Sequence, residues 1–223
     1  MVSNHYKMKI ELSFAKILLA FFVFIGLMIG VRFIYSGGHG FVFLIWNLFL
    51  AWIPFAVSTL FKKAVHAPKW KQLLVFSVWF IFFPNALYIV TDLIHLDLET
   101  NIPKWFDAVL LFTSSITGLI MAFVSLLRVE HFLSHHFRNS KVHAIMIGIL
   151  FIGSFGVYLG RFLRWNSWDV ISNPAGLLYS IAQRFISPIQ YMQTWGITLM
   201  LTVLYYLLYL ALRCHDGSKP SDT

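Results

Sequence analysis

The feature that most constrains this chain is a series of about six apolar runs, each roughly twenty residues long and joined by short polar stretches. At 1.5 Å per residue such a run, coiled as a helix, crosses a hydrocarbon core of about 30 Å. Hydrocarbon offers no partner to backbone N–H and C=O groups, so a spanning segment must satisfy them within itself, as a helix does. The runs predict spans at 12–33, 41–61, 70–91, 106–127, 144–163 and 191–212, an all-α polytopic bundle of about six transmembrane helices. Residues 1–223 then form a single integral membrane domain, with 213–223 expected as a mobile cytoplasmic tail. Composition agrees: 59% of the residues are hydrophobic and 12% charged, against about 25% charged in ordinary soluble domains. The first run follows Lys7, Lys9 and Lys16 and continues to Phe33 without a small-residue cleavage pattern, which predicts an uncleaved span rather than a signal peptide.

Charge orients the bundle. The formal net charge is +8, a balance that in a soluble protein would suggest nucleic acid, but that a multi-pass chain needs on its cytoplasmic loops. With the N-terminus inside, twelve of the 17 Lys and Arg residues fall on the cytoplasmic side. Arg32, Lys104, Arg161, Arg164 and Arg184 fall outside, and both termini lie in the cytoplasm. The partner predicted from this pattern is the lipid bilayer, not nucleic acid. The one cysteine, Cys214, excludes an intramolecular disulfide and a cysteine-rich metal site.

Chemistry-bearing residues gather at the outer ends of the spans. The third run is broken by Pro84-Asn85 and leaves the membrane through Asp92, His95 and Asp97. On a continuous helix Asn85, Tyr88 and Asp92 share a face at i, i+3 and i+7, and Arg161, Arg164 and Trp168 repeat that spacing at the end of the fifth, with Trp165 beside them. Asn47 in the second span and Asn85 in the third lie at a matched depth of roughly 10 Å, where buried amides are expected to bond to each other or to backbone freed by Pro84. Gly153, Gly156 and Gly160 line the fifth span, and Gly26 and Gly30 in the first have the spacing of a close helix contact. Pro54 is expected to kink the second span.

Phe83-Pro84-Asn85-Ala86-Leu87-Tyr88-Ile89-Val90-Thr91-Asp92-Leu93-Ile94-His95-Leu96 and Gly160-Arg161-Phe162-Leu163-Arg164-Trp165-Asn166-Ser167-Trp168-Asp169, together with Asn47 to Pro54, resemble a family of bacterial integral membrane proteins catalogued as domain of unknown function 1361. The resemblance covers most of the membrane portion. It implies a multi-pass protein of a bacterial plasma membrane and brings no reaction, cofactor or catalytic residue.

From the residues themselves, several uses stay open. Asp92, His95 and Asp97 offer O, N and O ligands for a divalent metal, completed by Asp107, Asp169 or water, or else form a solvated acidic loop. No other cofactor is evident. Arg161 and Arg164 either clamp an anionic group or pair with Asp92 and Asp107 across helices. Trp165 and Trp168 form an interfacial belt or pack on a sugar or lipid headgroup. Buried Asn47 and Asn85 are packing glue or orienting amides. His131, His135 and His136 read as solvated basic surface. Thr113, Ser114, Ser115 and Thr117 form a small polar face on the fourth span, with no paired base and no nucleophile motif. No P-loop, dinucleotide fingerprint or zinc-peptidase motif is present. Three function classes follow. One is an outer-face site that binds or modifies a lipid or envelope molecule, with Asp92 and His95 as catalytic candidates and Asn47, Asn85, Tyr88, Arg161, Arg164, Trp165 and Trp168 as ligand contacts. The others are a small solute or ion transporter, and a membrane assembly or scaffold partner.

Overall fold

In the computed structural model the described backbone covers residues 2–36, 40–97 and 102–217, and the described side chains cover 14–36, 40–96 and 102–214. Every regular element among them is helical: α1 (Val2–Ser36), α2 (Phe43–Ser58), α3 (Phe61–Ala64), α4 (Lys69–Tyr88), a 3-10 segment (Ile89–Asp97), α5 (Lys104–Ser134), α6 (Asn139–Leu163), α7 (Asp169–Ser172), α8 (Pro174–Ile186) and α9 (Met192–Gly217). Six stretches are long and apolar enough to cross a membrane: Phe14–Ser36, Phe43–Ala64, Lys69–Leu96, Lys104–Ser134, Asn139–Leu163 and Met192–Cys214. The fold is that of a multi-pass helical membrane protein.

The bundle is built around α5, which packs against α1, α2, α4, the 3-10 segment and α6. Its small hydroxyl residues explain how so central a helix is accommodated. Ser114 and Ser115 donate to the carbonyls of Leu110 and Leu111, and Thr117 to that of Thr113, so each polar group is satisfied within its own helix. Gly118 lets the end of α4 and the start of the 3-10 segment come close, because a Cβ there would lie 3.2 Å from the Ala86 carbonyl oxygen and 2.9 Å from Ile89 Cδ1. Ser125 accepts from Trp79 Nε1 at 3.2 Å and fixes the fully buried indole between α4 and α5.

The glycine face of α6 lies against the proline break of α4. A Cβ at Gly156 would stand 2.9 Å from Pro84 Cγ, and one at Gly153 would stand 3.2 Å from Leu87 Cδ1. Small residues here let the two backbones approach around the protruding ring. Gly26 and Gly30 behave otherwise: an added Cβ would meet nothing within 4 Å, so among the described residues this spacing makes no helix contact.

Other expectations are revised. The third span is α-helical only to Tyr88 and then tightens into the 3-10 segment. Pro54 lies within α2 near the middle of the Phe43–Ala64 span, as the sequence placed it, and the short α3 completes that span. The fourth helix continues past Leu127 to Ser134, because no breaker intervenes, and carries His131 on the helix rather than in a loop. The tail expected to be mobile from 213 stays helical to Gly217; residues 218–223 lie outside the described residues. The loop after the fifth span holds α7 and α8, with Pro174 opening α8 and Asn173 Oδ1 accepting from Gly176 N at 3.1 Å as its cap.

Candidate functional site

The ends of α2 and α6 that carry Asn47 and Arg161 meet the 3-10 segment that carries Asp92 at one end of the bundle. Asp92 is fully buried. Its Oδ2 accepts from Asn47 Nδ2 at 2.8 Å, and its Oδ1 accepts from Arg161 Nη2. The other donors of Arg161 are engaged as well. Nε donates to Thr91 Oγ1 at 2.8 Å, Nη1 faces His95 Nε2 at 3.1 Å, and the guanidinium lies 4.2 Å from the centroid of the Tyr88 ring. A guanidinium only donates, so His95 accepts through Nε2 and carries its proton on Nδ1. The imidazole also meets the Phe43 ring edge-on at 4.9 Å. The 3-10 winding matters here, because it tightens the chain so that Thr91, Asp92 and His95 all reach one arginine.

Pro84 prepares the second half of the site. It has no N–H to give the Phe80 carbonyl four residues back, and its ring crowds that turn of α4. Asn85 Nδ2 donates to the Phe82 carbonyl at 3.1 Å and to Ser167 Oγ at 2.8 Å, and Ser167 Oγ donates in turn to the Ile81 carbonyl at 3.1 Å. Ser167 reaches α4 because α6 ends abruptly. Arg164 adopts a left-handed backbone (φ 60°), and the Trp165 amide folds back onto the Leu159 carbonyl at 3.1 Å. A non-glycine residue in that conformation costs about 1 kcal/mol and needs surroundings that hold it there.

The result is a cleft of about 190 Å³ between α2, α4, α6 and the chain that follows α6. Asn47, Asn85, Tyr88, Trp46, Trp165, Asn166 and Ser167 supply its polar and aromatic lining, and Pro84, Gly156 and Leu159 its apolar part. Trp168 stands at the surface with its ring 6.2 Å from that of Trp46.

Several sequence expectations change in detail. Asn47 and Asn85 do not bond to each other; one holds Asp92 and the other holds Ser167. Arg164 and Trp168 do not continue the helical face of Arg161, since α6 has ended, and Arg164 is exposed outside the cleft lining. Arg161 pairs with Asp92, but Asp107 pairs with Arg32: Nε to Oδ1 at 2.8 Å and Nη2 to Oδ2 at 3.1 Å, with both residues buried. Arg32 also reaches the Gly40 carbonyl at 3.2 Å and lies over the Phe41 ring, clamping the turn that leads into α2. Asp169 caps its own turn, accepting from Asn166 N at 2.7 Å and Ser172 Oγ at 2.9 Å. The Asn166 amide chiefly, then the Ser172 hydroxyl, hold its carboxyl below the usual carboxylate range. A guanidinium thus bonds both Asp92 and His95, which the sequence left open as metal ligands or part of a solvated acidic loop. Among the described residues no three His, Cys, Asp or Glu side chains gather as a ligand set, and the Asp97 side chain lies outside them.

Sequence reasoning missed Ser167, Thr91 and the Arg32–Asp107 pair. Only the last left a signal: a basic and an acidic residue stand at the ends of two apolar runs that share one end of the bundle.

A six-span helical bundle defines the class, a multi-pass membrane protein, and here a buried ion pair lies beside a polar, aromatic cleft at one end of its helices. The chain belongs to the family described as Protein of unknown function (DUF1361), whose profile matches residues 46–208, from Trp46 of the cleft to Leu208 in α9. No curated protein and no solved structure gives a match.

Proposed function

We propose that the protein binds the uncharged, hydroxyl-rich headgroup of a lipid or other envelope molecule in the Asn47–Asn85–Trp165 cleft, at the outer face of a bacterial plasma membrane. The observation that carries this reading is the lining. Amides, a phenol, a serine and two indoles present donors, acceptors and flat apolar faces. The neighbouring Asp92 and Arg161 neutralise one another. Side chains of that kind recognise hydroxyl groups and the apolar edges of a polar headgroup, whereas an anion would need an uncommitted cation. The position at the helix ends suits a ligand whose tail stays in the bilayer.

Binding fits the geometry better than catalysis. A reacting carboxylate must reach its substrate, and Asp92 is fully buried beneath Asn47 and Arg161. Asp92, His95 and Arg161 therefore act as positioning residues that keep Asn47, Tyr88 and the end of α4 in place. Asn85, Tyr88, Trp165 and Ser167 are the groups that touch the ligand.

The test is mass spectrometry of the amphiphiles that co-purify with the intact protein, compared with Asn85→Ala/Ser167→Ala and with Trp165→Ala. Removing Asn85 and Ser167 together avoids leaving either of that bonded pair as an orphan. A species enriched with the parent and lost from both variants, at unchanged melting temperature, supports the reading. The same amphiphile profile in all three proteins overturns it.

A further inference from the structure

The connection between α6 and α9 carries almost no charge. From Pro174 to Tyr191 the sequence has one charged residue, Arg184. On a helix bathed by water that residue would point outward. Here it is turned into the protein: Arg184 is 7% exposed, its Nη1 donates to the Ser180 carbonyl, and its guanidinium lies 4.7 Å from the centroid of the Tyr191 ring. Leu177 and Ile181 share that face of α8 and pack on Phe155, Tyr158 and Leu159 of α6. The opposite face carries Leu178, Tyr179, Ala182, Phe185 and Ile186, all exposed. Ile186 reaches 79% exposure, and Ile189, just beyond the helix, 84%. Neither face offers a charge to water.

The last turn of α8 is sealed in the same way. Helix-end carbonyls on a water-facing loop can turn to solvent. At this end Ser187 N donates to the Gln183 carbonyl at 3.1 Å, Trp195 Nε1 to the Arg184 carbonyl at 3.3 Å, and Arg184 Nη1 to that of Ser180 at 2.6 Å. The position of the turn explains the need. Phe185 lies against Phe155, with ring centroids 6.0 Å apart. Phe155 stands about 12 Å along α6 from its end at Leu163.

We infer that α8 is a membrane-embedded helix, its Leu178–Ile186 face seated in the acyl region of the leaflet that borders the cleft. Bilayer lipid is the occupant of that face because the face continues a surface that lipid covers. Ile152 lies one turn deeper than Phe155 on α6, and Leu199 one turn deeper than Trp195 on α9; both are exposed within membrane spans. Helices with one apolar face settle roughly 5–10 Å into the headgroup–acyl boundary. Here protein, in place of water, covers the other face. Tyr179, nearer the start of α8, presents a phenol suited to the shallower, wetter part of that boundary. Leu177 also lines the polar cleft, so α8 separates part of the cleft from the lipid. The inference rests on the spans crossing a membrane and not on what the cleft binds.

The experiment uses the full-length protein with Cys214→Ser, reconstituted in nanodiscs. Single cysteines are introduced by Ile186→Cys, by Leu178→Cys or, as an aqueous reference at the far end of the bundle, by Ser134→Cys, and each is labelled with bimane. Brominated phosphatidylcholine should quench the labels at 186 and 178 at least about twofold more than the label at 134, and iodide should quench in the reverse order. Iodide quenching at 186 and 178 equal to that at 134 would place the face in water and overturn the inference. Protection of both positions from both quenchers would give the face to a second copy of the chain and overturn it as well.

Discussion

Replacing Arg161 with methionine tests whether the charged cluster is a structural lock. The substitution keeps a long apolar side chain but removes every bond that holds Asp92 from the α6 side. Asp92 is fully buried and would retain only Asn47 as a partner. Breaking a buried pair from one side costs about 3–5 kcal/mol, because the surviving charge stays desolvated. Loss of the contact with the Tyr88 ring adds about 1 kcal/mol. The complementary change, Asp92→Asn, costs less, about 1–3 kcal/mol. It leaves an amide in place of the carboxylate, and Arg161 keeps Thr91, His95 and Tyr88. Asp92→Leu/Arg161→Met removes both charges together and should recover much of the loss, since an apolar replacement of a buried pair is often neutral. The assay is reversible unfolding in mixed micelles by denaturing detergent, with the parent, Asp92→Leu, Arg161→Met and the double variant forming a double-mutant cycle. A coupling of at least about 2 kcal/mol is expected. If Arg161→Met cost under about 1 kcal/mol and the two changes were additive within about 0.5 kcal/mol, the lock would not exist.

Other outcomes follow from the same structure. Arg32→Met should destabilise by about 3–5 kcal/mol in the same assay, because buried Asp107 at the start of α5 loses both of its bonds from Arg32; a change under about 1 kcal/mol would show that the pair is dispensable. Gly156→Val should cost about 1–3 kcal/mol through overpacking against the Pro84 ring, where even a Cβ would stand at 2.9 Å. Gly26→Ala, with open space around it, should leave the melting temperature within about 2 °C of the parent. For orientation, Cys214 is replaced by serine and single cysteines are placed at Ser172 and Ser134, which lie at opposite ends of the bundle. An impermeant thiol reagent should label the first in intact cells and spare the second. The opposite pattern would reverse the proposed orientation.

The expectations that held and those that changed divide along a physical line. Span number and helical class were legible because they follow from local properties: run length, apolar content and the need of each backbone group for a partner in hydrocarbon. The glycine row of the fifth span was visible in the sequence, but that α4 meets it with Pro84 was not. Asp92 with Arg161 was one of two alternatives that the residues left open, since each is an ionisable group at the same end of its helix. Which alternative holds depends on rotation of the helices about their axes, a property of the whole packed bundle. Helical spacing carried Asn85, Tyr88 and Asp92 along one face, yet the chain changes winding after Tyr88. The same spacing carried Arg161 to Arg164 and Trp168, yet α6 stops at Leu163.

What the sequence by itself determined is therefore a set of membrane-crossing helices, with polar residues gathered near the ends of particular spans. Only the tertiary structure decided how those residues are partnered. A proline interrupts the bonding of its own turn, but nothing local says that Ser167, far along the chain, will donate to the Ile81 carbonyl there. A buried carboxylate requires a cation, but nothing local says that Asp107 takes Arg32 and leaves Arg161 to Asp92. Hydrocarbon leaves every polar group to find a protein partner, so the pairing is settled by all the helices together, and the cleft is the space that remains between them.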